Sequence, residues 1–161
     1  MLSNNKPNWV CYILLSVDSN KTYVGATDNL YRRLCDHNGI NGISKGAKAT
    51  KGEQWMPVLF ISGFSNKIAC LSFESGVRRI TRRKCCKKYK IPYNYKPIHK
   101  RIVSIHNLLY AGSPLNKWCS TGLKINYLEK QYYLSNLKIP DECFEGIDFN
   151  ELDFNELDFK G

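Results

Sequence analysis

The sequence predicts an α/β domain in which a few short strands are flanked by helices. Segments rich in aromatic and β-branched residues, typical of strands, alternate with segments whose apolar residues recur at helical spacing, and turn residues separate them. The chain of 161 residues is long enough for one domain with its own core. A hydrophobic fraction of 43% with 12% aromatic residues argues against wholesale disorder.

Two strands near the start of the chain are expected to pair as a hairpin. Residues 9–16 form the first strand, residues 17–21 supply turn-forming side chains, and residues 22–26 form the second strand. A third strand is predicted over residues 55–63. Pro57 lies within it and lacks a backbone N–H, so it favours an edge position or the beginning of the strand.

The first helix is predicted to follow the hairpin directly. Thr27 and Asp28 are suitable residues to cap its start, and Leu30 and Leu34 supply an apolar stripe. The pair Asn38–Gly39 predicts its end, because glycine readily adopts the left-handed conformation that terminates helices.

A second and longer helix is predicted over residues 66–86, beyond the third strand. A third helix is predicted over residues 98–110, and a fourth short element over residues 122–134. The long helix is identified by apolar residues at helical spacing, namely Ala69, Phe73, Val77 and Ile80.

The charge is divided between a basic body and an acidic tail. Residues 1–140 contain 23 Lys and Arg against six Asp and Glu, whereas residues 141–161 contain one Lys and eight acids. We therefore predict a domain over residues 1–140 that binds a polyanion, followed by a flexible tail. The tail carries the sequence NELDF twice, at 150–154 and 155–159. Its composition favours a solubilising role, with partner docking or mimicry of DNA as alternatives.

Membrane and secreted proteins are excluded by composition. No apolar run approaches the roughly 20 residues that a membrane span needs, and the first residues lack the apolar stretch of a secretory signal. The seven cysteines are odd in number and no pair has C-x-x-C spacing. We expect reduced thiols in an intracellular setting, and neither a disulfide framework nor a zinc site.

Two basic segments predict contacts with nucleic acid. A glycine-rich loop within residues 38–54 carries Lys45, Lys48 and Lys51. The stretch from residue 78 to residue 101 holds 11 basic residues and no acid, interleaved with tyrosines that would allow base stacking. A localisation signal or plain surface is the alternative. The predicted phosphate contacts in this stretch are Arg78, Arg79, Arg82, Arg83 and Lys87.

A small set of residues points to chemistry. The tripeptides CYI (11–13) and YVG (23–25) lie on the two hairpin strands, and we expect the glycine of the second, Gly25, to permit close backbone approach. Arg33 and His37 follow at positions i and i+4, on one face of the first helix. Glu74 lies in the second helix and is the only acid between residues 54 and 128.

This set resembles the signature of the GIY-YIG nucleases, with CYI as the first tripeptide and YVG as the second. Within that family, the string YVGATDNLYRRLCDHN, the GAKAT loop at 46–50, Trp55, Gly63–Phe64 and Phe73–Glu74 are similar to the SLX-type structure-specific nucleases, over roughly residues 9–125. The resemblance implies a mixed, largely antiparallel three-stranded sheet flanked by helices. Cys11 departs from the family at its least discriminating position, and the tyrosine beside it is retained.

The resemblance implies a role for each of five residues. Tyr23 would act as general base, Tyr12 would position water or phosphate, and His37 would relay a proton or orient a neighbour. Arg33 would bind the phosphate through its forked guanidinium. Glu74 would hold one Mg²⁺ or Mn²⁺, since a single carboxylate suits a hard cation that keeps several waters.

Each of these residues also has a structural interpretation. The two tyrosines are ordinary strand residues by propensity, and the histidine is suited to a capping or hydrogen-bonding role. Arg33 stands beside Arg32, so the phosphate ligand could be displaced by one residue. A lone carboxylate such as Glu74 in a basic stretch could equally form a structural ion pair.

The predicted function is that of a metal-dependent endonuclease that nicks flaps, forks and four-way junctions in repair or recombination. A non-catalytic module that binds branched DNA is one alternative, and a mobile-element or UvrC-like repair nuclease is another. Branched DNA is the expected partner, together with a scaffold protein or a second copy of the chain. No Cys/His array follows residue 110, so the zinc finger with which such nucleases help to bind their scaffold is missing. We expect a nuclear location in a eukaryotic host, and the composition suggests a viral origin.

Overall fold

The fold is a sheet with helices on both faces. The computed structural model describes residues 8–39, 48–80, 82, 96–109, 122–127 and 149–151, and within them lie five strands, three helices and a short 3-10 turn. In chain order the elements are β1 (Val10–Ser16), β2 (Thr22–Thr27), α1 (Leu30–Asn38), the 3-10 turn (Lys48–Thr50), β3 (Trp55–Ser62), α2 (Lys67–Ile80), α3 (Pro97–Leu109), β4 (Lys124–Tyr127) and β5 (Phe149–Glu151).

The strand order in the sheet is β2-β1-β3-β4-β5. β1 pairs antiparallel with β2 and with β3, which confirms the predicted α/β fold and its largely antiparallel sheet. β4 extends this sheet antiparallel to β3, and β5 lies parallel to β4, so the described sheet has five strands and not the three expected. β4 falls within the short element predicted at 122–134. β5 falls within the predicted tail, most of which lies outside the described residues, so the domain boundaries remain a prediction.

The β1–β2 hairpin closes through residues 17–21, as predicted. The Ser16 N–H donates to the Lys21 carbonyl at 3.0 Å. This closure sets a register in which Tyr12 lies opposite Gly25, and Leu14 opposite Tyr23. Side chains that lie opposite each other share a face of the sheet, so the register places both tyrosines on one face.

The start of α1 corrects one prediction. The capping residue is Asn29, whose side-chain oxygen accepts from the Arg32 N–H at 3.0 Å. Thr27 acts one step earlier, because its hydroxyl accepts from the Asn29 N–H at 3.1 Å. The predicted end is confirmed: Gly39 has a φ of 64°, the left-handed conformation that favours glycine.

α2 and α3 cover one face of the sheet and form the larger core. α3 confirms the third predicted helix, and α2 confirms the second up to Ile80, beyond which residue 81 and residues 83–86 are not among the described residues. Phe73 and Val77 of α2 are fully buried, and Cys70 takes the buried position next to the half-buried Ala69. Most of this core is aliphatic, and includes Ile13, Val24, Leu59, Ile61, Ile80, Ile98, Ile102, Ile105, Leu108 and Ile125.

α1 covers the other face and forms a smaller, more aromatic cluster. Tyr12 and Leu14 of β1 pack there with Leu34 of α1 and Trp55 of β3. Tyr23, Leu30 and Phe60 border this cluster and are partly buried. The alternation of β1 explains the division, since Cys11 and Ile13 point to the opposite core.

β3 lies between β1 and β4, so of the two positions predicted for Pro57 the edge strand is wrong, whereas the beginning of the strand agrees with its place as the third residue of β3. Two features accommodate the proline. Pairing with β4 begins only at Leu59, beyond Pro57. On the other side, Ile13 lies opposite Leu59 and Leu14 opposite Pro57, so that Val58 is an extra residue in a bulge. A bulge is one of the few sheet positions that tolerate proline.

Candidate active site

The site begins with the packing of Tyr12 across Gly25. A Cβ atom added at Gly25 would overlap the ring and hydroxyl of Tyr12. Glycine is therefore required at this position by close contact with a side chain on the neighbouring strand, which confirms the predicted close approach. Tyr12 packs closely over Gly25 and is buried, with about 1% of its surface exposed.

A chain of hydrogen bonds holds the Tyr12 hydroxyl. It lies 2.8 Å from Nε2 of His37, and Nδ1 of the same ring lies 2.8 Å from the Thr50 hydroxyl. Tyr12, His37 and Thr50 are all buried, so each bond is shielded from water. The Trp55 indole N–H donates to the Thr50 carbonyl at 2.9 Å and fixes the 3-10 turn. We call Tyr12, His37 and Thr50 the buried chain.

A second set of hydrogen bonds fixes the end of α1. The Asn38 side chain accepts from the Trp55 backbone N–H at 2.7 Å and donates to its carbonyl at 3.0 Å. This double contact mimics a strand pairing and ties the last turn of α1 to the start of β3. His37 precedes Asn38, so the same contact sets the position of the imidazole beneath the tyrosines.

The two neighbouring arginines of α1 have different surroundings. Arg33 is partly buried, and its guanidinium is hydrogen-bonded to the hydroxyls of Tyr12 and Tyr23. Arg32 is exposed and pairs with Asp28 at 3.2 Å, one helical turn earlier. Arg33 also lies 3.8 Å from Asp36, which balances part of its charge.

Burial sets the protonation states in the buried chain. It lowers the pKa of His37 to about 4, and the positive charge of Arg33 acts in the same direction. The imidazole is therefore neutral at physiological pH. Burial likewise raises the pKa of Tyr12, against the opposing effect of its hydrogen bond to Arg33. Tyr12 consequently keeps its proton and serves as a hydrogen-bond donor.

Tyr23 is the more accessible of the two tyrosines. It is partly buried, with its ring centroid 4.7 Å from that of His37 and 6.2 Å from that of Tyr12. The Arg78 guanidinium lies 6.0 Å from the centre of the Tyr23 ring. Tyr23 thus stands between the buried chain and the residues of α2.

Glu74 belongs to α2, on the opposite face of the sheet, and is connected to β2 through Arg78. Its carboxylate pairs with Arg78 at 2.7 Å, and the same guanidinium nitrogen donates to the Val24 carbonyl of β2 at 2.8 Å. Burial raises the pKa of Glu74, and the charge of Arg78 opposes that shift. The structural ion pair that the sequence leaves open for Glu74 is therefore present, and its Arg78 partner lies 6.0 Å from the centre of the Tyr23 ring.

The donor set at Glu74 fits a magnesium-like ion better than a metal held wholly by protein. Within the described ranges, no three His, Cys, Asp or Glu side chains cluster in a way that could hold an ion. Mg²⁺ and Mn²⁺ accept sites with one or two carboxylates, in which water and substrate phosphate complete the shell. Glu74 can supply that one carboxylate.

The predicted DNA contacts lie in two places beside the site. Lys48 and Lys51 are exposed and flank Thr50 in and after the 3-10 turn. Arg79 and Arg82 are exposed at and just beyond the end of α2, one helical turn or less from Arg78. The other predicted contacts, Lys45, Arg83 and Lys87, lie outside the described residues.

Three contributors were not identified from the sequence as parts of the site. Thr50 and Asn38 lie 13 and 17 residues from the partners they bind, and sequence spacing gives no signal at such distances. The pairing of Arg78 with Glu74 did have a signal, since the two are four residues apart on a helix. Arg78 was assigned to DNA contact because it begins the basic run.

Among the described residues, no helix combines the length and apolarity of a membrane span. The cysteines of this part that carry free thiols are Cys11, Cys35 and Cys70, all buried. Burial raises the pKa of the Cys70 thiol to about 12, with a smaller contribution from Glu74. The reduced state and the intracellular location remain predictions.

Comparison with known proteins gives the family. The GIY-YIG catalytic domain matches residues 8–90, just over half of the chain. A similar protein is an uncharacterized protein of Acanthamoeba polyphaga mimivirus, 44% identical over 119 residues, which are 66% of this chain and 72% of that protein.

Two further relatives are named for an activity. The structure-specific endonuclease subunit SLX1 of Vanderwaltozyma polyspora is 44% identical over 70 residues, 41% of this chain and 22% of that protein. The SLX1 homolog of Cryptosporidium parvum is 33% identical over 152 residues, 85% of this chain and 36% of that protein. The chain therefore spans a minor part of the length of these two relatives.

The matched segment contains the buried chain, both tyrosines, Arg33 and Glu74. Sequence match and geometry thus fall on the same residues. The chain belongs to the GIY-YIG family of phosphodiester-hydrolysing endonucleases, and residues 8–90 are its catalytic domain.

Proposed function

We propose that this protein is a metal-dependent endonuclease that nicks branched DNA. The observation that carries the proposal is that Tyr12, Tyr23, Arg33 and His37 lie together on one face of the sheet, and that Arg78 links them to Glu74 on the other. Arg78 contacts Glu74, the Val24 carbonyl of β2 and the face of the Tyr23 ring, with exposed basic residues nearby. The relatives named as structure-specific endonuclease subunits support the branched substrate and a partner subunit.

In the proposed reaction, Arg33 binds the scissile phosphate. Its guanidinium carries the forked donor geometry that matches phosphate oxygens, and the hydroxyls of Tyr12 and Tyr23 hold it in place. A preorganised cation of this kind stabilises the negative charge that develops on the phosphate. Removal of such a donor typically costs a factor of about 10²–10³ in rate.

The two tyrosines take different roles. Tyr12 is buried and keeps its proton, so it orients groups and does not act as the base. Tyr23 is the accessible hydroxyl, and we assign it the role of base: in its phenolate form it takes the proton of the attacking water and becomes the neutral phenol. Arg33 lies beside the Tyr23 oxygen and supplies the positive charge that faces the phenolate before the transfer. The oxygen that leaves the phosphate takes its proton from solvent.

His37 acts as an orienting residue in this scheme. Both of its ring nitrogens are engaged, one by Tyr12 and one by Thr50, and the ring is neutral. With Arg33 donating to the Tyr12 oxygen, the Tyr12 proton is directed to Nε2 of His37. That arrangement places the imidazole proton on Nδ1, where it donates to the Thr50 hydroxyl.

Glu74 is the proposed ligand for one divalent cation, Mg²⁺ or Mn²⁺. When bound, the cation would supply further neutralisation of phosphate charge and favour ionisation of the attacking water. We expect shape-based recognition of branched DNA by the basic residues beside the site, and steep salt dependence of binding. A scaffold protein or a second copy of the chain would be needed to coordinate paired nicks.

Cleavage of end-labelled DNA in Mg²⁺ or Mn²⁺ tests the proposal. The substrates are a 5′ flap, a replication fork, a four-way junction and a plain duplex of the same sequence. The variants are Glu74→Gln and Arg33→Ala. Arg32→Ala is the matched control, because it removes a neighbouring guanidinium that points away from the tyrosines.

We expect nicks in the branched substrates alone, at least about 10²-fold slower in Glu74→Gln and Arg33→Ala, with Arg32→Ala close to wild type. DNA binding measured separately should persist in Glu74→Gln. Tight binding of branched DNA without cleavage would favour the non-catalytic module, and addition of a candidate scaffold would then decide. Equal cleavage of duplex and branched DNA would favour another type of GIY-YIG nuclease.

A further inference from the structure

The guanidinium of Arg78 lies at the position where a cation would meet Glu74. One of its nitrogens is 2.7 Å from the Glu74 carboxylate and 2.8 Å from the Val24 carbonyl. The same group lies 6.0 Å from the centre of the Tyr23 ring. Three elements therefore fix Arg78: its own helix, the edge of β2 and a tyrosine of the site.

The carboxylates near the site each face an arginine. Asp36 lies 3.8 Å from Arg33, and Glu74 lies 2.7 Å from Arg78. Glu74 is mostly shielded, with 12% of its side chain exposed, whereas Arg78 retains 49%. In the described part of the chain no group of three potential ligands adds further negative charge or coordination. The protein alone thus offers a divalent cation a carboxylate whose charge is already balanced.

We propose that Arg78 acts as an internal counter-cation, so that a divalent metal ion binds tightly at Glu74 only together with DNA. The inference rests on the proposed function and adds to it the order of assembly. DNA phosphates would supply the missing negative charge and oxygen ligands. They would also give Arg78 an alternative partner: its side chain is half exposed, and a rotation that exchanges its bonds to Glu74 and the Val24 carbonyl for bonds to phosphate would release the carboxylate.

The electrostatics favour this order. A positive charge within a few ångströms of an ion site, partly shielded from water, disfavours a second cation, whereas a phosphate brought to the same place favours it. Because coupling between two ligands is reciprocal, DNA must strengthen metal binding by the same factor by which the metal strengthens DNA binding. Residues that contact DNA farther from Glu74 contribute less to such a coupling, because the interaction falls with distance and is screened by salt.

Mn²⁺ affinity measured by electron paramagnetic resonance tests the proposal without reliance on cleavage. In the absence of DNA, Mn²⁺ affinity is measured for the wild type, Arg78→Gln and Arg79→Gln. Arg78→Gln removes the charge and keeps an amide that can donate to the Val24 carbonyl. Arg79→Gln removes an identical charge from the next residue of α2, which is exposed. Circular dichroism checks that each variant is folded.

A second set of measurements adds a four-way junction at saturating concentration. They use a Tyr23→Phe background, which retains Glu74 and Arg78, and gel analysis afterwards confirms that the DNA is intact. Glu74→Gln in the same background removes the proposed ligand. Affinity for DNA is measured with and without Mn²⁺ at constant ionic strength.

We expect Arg78→Gln to tighten Mn²⁺ binding to the DNA-free protein about tenfold, equivalent to about 1.4 kcal/mol, and Arg79→Gln to change it less than twofold. DNA should tighten Mn²⁺ binding about tenfold or more, and Glu74→Gln should abolish that gain. Equal or weaker Mn²⁺ binding in Arg78→Gln would overturn the proposal, as would tight binding unaffected by DNA. Neither of these outcomes would affect the proposed nuclease function, which only an absence of cleavage by the wild type would contradict.

Discussion

The two faces of the sheet differ in composition and in what they contribute. The face under α2 and α3 buries an aliphatic core with few polar groups. The face under α1 buries four large residues, and one of them, Tyr12, belongs to a chain of hydrogen bonds with His37 and Thr50. The comparison suggests that the first face supplies most of the stability, which allows the second to hold a neutral imidazole and a buried phenol in fixed orientations.

The largest expected effect is the loss of stability caused by a cavity in the aliphatic core. Ile105 of α3 is about 1% exposed and packs in that core. Ile105→Ala should lower the free energy of unfolding by about 2–5 kcal/mol, through lost burial and the cavity left behind. Urea denaturation measures the loss, and the single-turnover cleavage rate of the folded protein should stay within about threefold of wild type. A loss in rate that exceeds the loss in folded fraction would show that the two faces are not separable.

The buried histidine on the α1 face should make the stability of the protein depend on pH. The pKa of His37 falls from about 6.5 in the unfolded chain to about 4 in the folded protein. The unfolded state therefore binds more protons between these values, and stability is full above pH 6.5 and lost as the pH falls towards 4. The linkage amounts to about 3 kcal/mol.

Denaturation at several pH values, on wild type and His37→Gln, isolates this contribution. His99 also has a lowered pKa through burial, and it is common to both proteins. The wild-type slope between pH 4 and pH 6.5 should exceed that of the variant. Parallel slopes would mean that His37 titrates as an ordinary exposed histidine.

A smaller loss of stability is expected at Thr50. Its hydroxyl contacts His37, so we expect it to position the imidazole. Thr50→Val keeps the shape and removes the hydroxyl, so that Nδ1 of the buried His37 loses its partner. The cost in unfolding free energy should be about 1–3 kcal/mol. The cleavage rate should fall with little change in DNA affinity. Thr50→Ser keeps a hydroxyl and should restore the cleavage rate. A variant with normal rate and lower stability would restrict Thr50 to a structural role.

The parts of the fold set by local sequence could be predicted. The hairpin, the end of α1 at Gly39 and the face shared by Arg33 and His37 all follow from spacings of a few residues. Helical spacing also placed α2. Each of these predictions depends on turn chemistry or on the 3.6-residue period, which act within a short stretch of chain.

The exact cap of α1 could not be predicted, because helix ends are uncertain by a residue or two: the cap is Asn29, and not Thr27 or Asp28. Features set by contacts between distant segments could not be predicted either. Pro57 lies in an interior strand because a bulge accommodates it, and nothing in the local sequence announces that bulge. The buried chain requires Thr50 to meet His37, which only the folded sheet arranges.

The central claim is that residues from the two faces act as one active site across β2. Single-turnover cleavage of a four-way junction by Arg33→Ala, Glu74→Gln and the double variant tests it most directly. Residues that act as a unit are strongly non-additive. The account predicts that the double variant is about as slow as the slower single variant. Losses that multiply, or a single variant with the wild-type rate, would contradict it.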